Sequence, residues 1–172
     1  ECVGAMCQKE PEAKRQSVKL NDADQSYFNV APSAAGNSKT WTFSTWFKRG
    51  NESANDQVLL SSQSDADNNV EIFFGGSAGA YNGKLGVTAK VGGVDYGWYF
   101  DGGPVDNSTW RHVMVSVDTA NRLGENNRPR VHLDGFERLQ FTTTGGAGSG
   151  LGADAATALF QAGAPIRLAG SV

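Results

Sequence analysis

The chain has 172 residues, enough for one domain of ordinary size that buries roughly two-thirds of its unfolded surface without covalent staples. Hydrophobic residues make up 39%, and a mean hydropathy of −0.39 with only short apolar runs gives no sign of a helical membrane span. A formal charge of −3 and a pI near 5.3 argue against nucleic acid, which needs a basic face.

Glycine is abundant at 22 residues, and helical periodicity is nearly absent, so many short strands joined by turns are expected. Residues 1–16 (ECVGAMCQKEPEAKRQ) are polar, carry Pro11, and read as an arm or linker ahead of a domain spanning 17–172. They lack the apolar core of a signal peptide. Cys2 and Cys7 form a small disulfide ring, link two chains, or remain free thiols in a frayed terminus. Their spacing lacks the second ligand pair of a zinc or redox motif.

SVKLND and SYFNV read as a strand pair around a turn at 22–25. TWTFSTWFKRG follows at 40–50. Its period of two places Trp41, Phe43, Thr45 and Phe47 on one face and Thr42, Ser44, Trp46 and Lys48 on the other. A tryptophan on the second face predicts cover on both sides, hence a strand inside the sandwich, after which residues 48–51 run into solvent. QVLLSS and VEIFFGG are strands around the polar loop QSDADNN.

KLGVTAKVGGVDYGWYFD, residues 84–101, carries the clearest signal. A two-residue turn at Gly92-Gly93 pairs Leu85 with Phe100, Val87 with Trp98, Ala89 with Tyr96 and Val91 with Val94, all on one face. The other face then pairs Lys84 with Asp101 and Lys90 with Asp95. A shift of one residue destroys every match.

WRHVMVSVD places Val113, Val115 and Val117 inward, and RVHLDGFERLQF turns on Asp134-Gly135. Residues 142–165 are a long small-residue loop with a short helical turn around 155–161, and IRLAG is a last strand. The sum is roughly nine or ten strands and no substantial helix, an all-β antiparallel two-sheet sandwich.

Three pieces carry a resemblance: the Trp-rich strand ending in Lys48-Arg49-Gly50, the Trp110-Arg111-His112-Val113 entry to a valine strand, and the Val131…Asp134-Gly135 hairpin. With SVKLNDADQSYFNVAP they resemble the laminin-G-like, concanavalin A-like jelly roll over residues 17–170, in the form found in structural proteins of tailed, especially marine, phages. Relatives of that kind continue with a further closing segment, whereas this chain stops at Val172. The resemblance therefore implies a fragment, or a closing strand supplied by a neighbouring subunit.

Glycanases share this sandwich and place two carboxylates across a scissile bond. Here Glu71 stands alone in its strand, Asp118 ends another, and Asp95 and Asp101 face lysines, so no catalysis is expected. Asp65, Asp67, Asn69 and Glu71 supply oxygens at alternate positions, a candidate Ca2+ site outside the EF-hand pattern and otherwise a solvated acidic loop. His112 and His132 lack a third zinc ligand, and GGAGSGLG lacks the lysine of a phosphate loop. For carbohydrate the candidates are Tyr96, Trp98 and Tyr99 with Tyr81 and Asn82. Tyr96 and Trp98 fall on the core face, leaving Tyr99 the better surface candidate.

The expected function is a non-enzymatic virion structural module (tail fibre, spike or capsid decoration), partnered by its own copies or other virion proteins and by host-surface glycan. The alternatives are a secreted carbohydrate-binding or adhesion module of cellular origin and a glycanase with relocated acids.

Overall fold

The structure, a computed structural model, describes residues 26–50, 54–102, 108–120, 128–152 and 154–168. The predicted arm, the strand at 17–22, Cys2 and Cys7 lie outside the described residues.

The described chain forms β1 (Phe28–Val30), β2 (Thr40–Phe47), β3 (Gln57–Asp65), β4 (Asn68–Phe74), β5 (Leu85–Val91), β6 (Val94–Phe100), β7 (Arg111–Asp118), β8 (Arg130–Leu133), β9 (Phe136–Glu137), β10 (Phe141–Gly145) and β11 (Ile166–Leu168). A seven-stranded sheet runs β1-β11-β3-β4-β5-β6-β10 and a four-stranded sheet runs β2-β7-β8-β9. Every strand pairing is antiparallel. The two sheets enclose one core, in which Ile72, Phe74, Leu85, Val87, Trp98 and Phe100 meet Trp41, Val113, Val115, Val131 and Leu133. Burying each of these large side chains stabilises the fold by about 1.5–3 kcal/mol.

The 84–101 hairpin has the expected register, from Leu85 opposite Phe100 to Val91 opposite Val94. Gly92 and Gly93 both hold positive φ, at 57° and 83°, as the two-residue turn requires. Lys84 and Asp101 form an ion pair at 3.0 Å. Lys90 and Asp95 are register partners, but the Lys90 Nζ lies 3.5 Å from the Ala66 carbonyl instead.

Several expectations fail for identifiable reasons. Residues 63–69 are not an open loop: β3 and β4 run on to a tight turn at Ala66-Asp67. Thr142 to Gly145 belong to a strand, because β10 pairs along β6, with Phe141 opposite Phe100. No helical turn forms at 155–161. The segment is held by its own polar groups, with the Trp41 Nε1–H donating to Thr157 Oγ1 at 3.0 Å and the Thr119 hydroxyl to the Ala155 carbonyl at 2.6 Å. The helical turn that does form is a 3-10 turn over Gly146–Ser149. β1 pairs with β11, and its expected partner at 17–22 lies outside the described residues.

β2 is the outer strand of its sheet among the described residues, and Trp46 is 65% exposed, so the expected cover on both faces is not there. Arg49, expected in solvent, is only 7% exposed. Its Nε donates to Gln57 Oε1 at 2.6 Å, a second nitrogen donates to the Gly75 carbonyl at 3.3 Å, and the guanidinium lies over the Phe74 ring. A buried cation is tolerated when its donors are satisfied this way.

Candidate functional site

Alternation along the seven-stranded sheet sends Phe73, Tyr99, Glu71 and Thr88 to the face away from the core. Thr142, Tyr99, Gly86 and Phe73 form one cross-strand row; Thr144, Gly97, Thr88, Glu71 and Ser61 form the next. Two glycines make room for aromatic rings to lie down on this face. A Cβ at Gly86 would sit 2.4 Å from the Phe73 ring, and one at Gly97 would sit 2.9 Å from the Tyr99 ring and 2.4 Å from the Thr144 hydroxyl. Phe73 and Tyr99 then meet edge to face, 6.3 Å between centroids.

The connection between β4 and β5 folds back over these rings. The Gly75 N–H donates to the Lys84 carbonyl at 3.0 Å and the Gly76 N–H to the Asp56 carboxylate at 2.8 Å, closing the loop. This lays Tyr81 flat on Tyr99, with centroids 3.4 Å apart and planes within 5°. Tyr99 is consequently only 7% exposed. Burial pushes its phenol above the usual tyrosine range, against the lowering effect of a hydrogen bond with Thr144.

Tyr99, expected at the surface, is thus the underside of a stacked pair, because the loop supplies a lid that alternation along a strand does not reveal. Tyr81 remains half-buried and Asn82 exposed, so these two are what the cluster offers to solvent. Trp98 is 1% exposed and Tyr96 half-buried, stacked on each other in the core as the hairpin pairing implied. The exposed Thr142 ends the Tyr99 row, and the Lys84 Nζ donates to its hydroxyl at 3.3 Å.

The four oxygen donors proposed for calcium are not brought to one point. Asp65 Oδ1 accepts from the Asp67 N–H at 2.9 Å and from Asn68 Nδ2 at 2.8 Å, closing the β3–β4 turn. These bonds, Asn68 first, hold the Asp65 carboxyl below the usual carboxylate range. Glu71 lies further along the outer face, opposite Ser61 and Thr88. Among the described residues no three His, Cys, Asp or Glu side chains converge. Glu71 is instead raised above the usual carboxylate range, first by burial and then by the charge of Asp56.

The opposite outer face, on the four-stranded sheet, carries aromatic surface that sequence reasoning assigned to the interior. Trp46 pairs across strands with His112, their rings 5.1 Å apart and tilted by 48°. The signal available was the alternation itself, which places Trp46 with Ser44, opposite the core residues.

The concanavalin A-like lectin/glucanases superfamily matches residues 22–164. The chain belongs to this superfamily, and its two antiparallel sheets are the sandwich that membership implies. No curated protein matches the chain. Among the described residues no helix is long and apolar enough to cross a membrane.

Proposed function

We propose that this domain is a non-catalytic carbohydrate-binding and adhesion module that serves as a virion structural component, in a tail fibre, spike or capsid decoration. Its partners in that setting are further copies of itself or other virion proteins, together with a glycan of the host surface. Superfamily membership supports the glycan-binding part. The resemblance of the strand at 40–50 and its neighbours to phage structural proteins supports the virion part.

The carrying observation is the Tyr81–Tyr99 stack beside exposed Asn82. Tyr99 holds Tyr81 flat without spending conformational entropy on binding, and a preoriented ring costs less to engage. A sugar stacks its C–H face on such a ring and hydrogen-bonds its hydroxyls to amide and hydroxyl groups alongside. A glycan array probed with the intact chain tests this. Binding that falls about tenfold in Tyr81→Ala and in Asn82→Ala supports it; unchanged binding in both variants, or no bound glycan, contradicts it.

A glycanase is the second reading, favoured by the Asp56 charge that, after burial, helps raise Glu71 above the usual carboxylate range. The Asp56 carboxylate already accepts the Gly76 N–H that shapes the loop, so it serves as structure in our reading. Hydrolysis of a polysaccharide panel that disappears in Glu71→Gln would overturn the non-catalytic assignment.

A further inference from the structure

Glycan recognition on the Tyr81 side leaves the outer face of the four-stranded sheet unexplained. There Trp46 stands 65% exposed near the end of β2. A bare tryptophan on a sheet surface loses the benefit of burying its large apolar area, so its neighbours decide what it is suited to meet.

Apart from Met114, those neighbours are polar. His112 sits across from Trp46, and its Nε2 lies 2.8 Å from the Ser44 hydroxyl, which fixes the imidazole beside the indole. The next cross-strand row runs Ser44, Met114, His132, Glu137. At strand spacings near 4.8 Å that row is about 14 Å wide from β2 to β9, the reach of two or three sugar rings. His132 Nδ1 is shielded from solvent and has no hydrogen-bond partner among the described residues, while Glu137 at the far end is exposed.

We propose that this face is a second sugar-binding site, centred on Trp46, for a neutral oligosaccharide. A pyranose has apolar C–H faces and a rim of hydroxyls that both donate and accept. The indole takes one face. The Ser44 hydroxyl and the His112 ring flank the indole to meet rim hydroxyls of the same residue, and the exposed Glu137 accepts from the next ring along. Glu137 on the row itself and the net charge of −3 oppose an acidic sugar, while Arg130, opposite Ser116 in the adjoining row, leaves the face with charges of both signs and suits a neutral ligand. A purely apolar partner is disfavoured because it would strip water from Ser44, His112 and Glu137 without replacing their hydrogen bonds. The proposal rests on the glycan-binding reading for its ligand class, and it places the two sites on opposite outer faces, so that one domain bridges two glycan chains.

The test is a titration of the 15N-labelled full chain with neutral tetrasaccharides (cello-, xylo-, galacto- and chito-series), followed by amide and indole resonances. The expected result is a saturable shift of the Trp46 indole N–H and the His112 amide. The shift should weaken about tenfold or more in Trp46→Ala, recover in part in Trp46→Phe, and persist in Tyr81→Ala. Shifts confined to Tyr81 and Asn82 would overturn the second site while sustaining the first. An absence of shifts anywhere would overturn both. Sedimentation that shows self-association lost in Trp46→Ala, with no sugar-dependent shift, would make the face a contact between copies and overturn the proposal as well.

Discussion

The two outer faces of the sandwich treat aromatic residues in opposite ways. On the seven-stranded sheet Phe73 and Tyr99 lie against Gly86 and Gly97, and a folded-back loop stacks Tyr81 over them. The result is a satellite core in which only the last ring and its neighbour Asn82 reach solvent. On the four-stranded sheet Trp46 makes a tilted ring contact with His112 and keeps most of its surface in water. An aromatic side chain pointing away from the main core is therefore either stabilising or available for a ligand, and what separates the cases is whether another segment closes over it.

That contrast makes graded predictions. Tyr99→Ala should cost the most, about 3 kcal/mol of unfolding free energy, because it opens a cavity beneath Tyr81. A denaturant melt that finds Tyr99→Ala as stable as the parent would show the satellite core is not packed. Gly97→Ala comes next, at about 1–3 kcal/mol, since the new methyl meets both the Tyr99 ring and the Thr144 hydroxyl. The same melts check it, and an increase in stability would mean the ring lies elsewhere.

Glu71→Gln should have a smaller effect that depends on pH. Burial raises the folded carboxyl above its unfolded value, so its contribution is fully present below the unfolded pKa and is lost as pH rises through the folded one. The variant should therefore match the parent in acid and gain on it toward neutral pH. A parent that grows more stable relative to Glu71→Gln over that window would reverse the sign. Trp46→Ala should matter least, within about 0.5 kcal/mol, because the side chain is mostly solvated. A melt shifted by several times that amount would place Trp46 in a packed environment.

How much was legible in the sequence depends on the range of the interaction. The 84–101 hairpin was fully readable, since turn, apolar pairs and the Lys84–Asp101 pair are local and each excludes a slipped register. The inward valines of β7 were readable for the same reason. What failed depended on distant segments. Alternation placed Trp46 on the second face but could not say that nothing among the described residues covers it. Arg49 looked solvated because its partners, Gln57 and Gly75, come from β3 and from the loop after β4. β10 was hidden by a run of threonine and glycine whose pairing with β6 supplies the order. For the candidate site, Tyr81 and Asn82 were named as candidates and the structure leaves both in reach of solvent, while Tyr99, expected at the surface, is covered by the loop that carries them.

Which aromatic rings are shielded separates the two faces from the core, and the four tryptophans report this together. Hydroxyl-radical footprinting of the native chain, read residue by residue by mass spectrometry, should label Trp46 and Trp110 rapidly and leave Trp41 and Trp98 almost untouched. Trp98 labelled as fast as Trp46, or Trp46 protected in the isolated monomer, would contradict the arrangement of the two sheets and the site built on it.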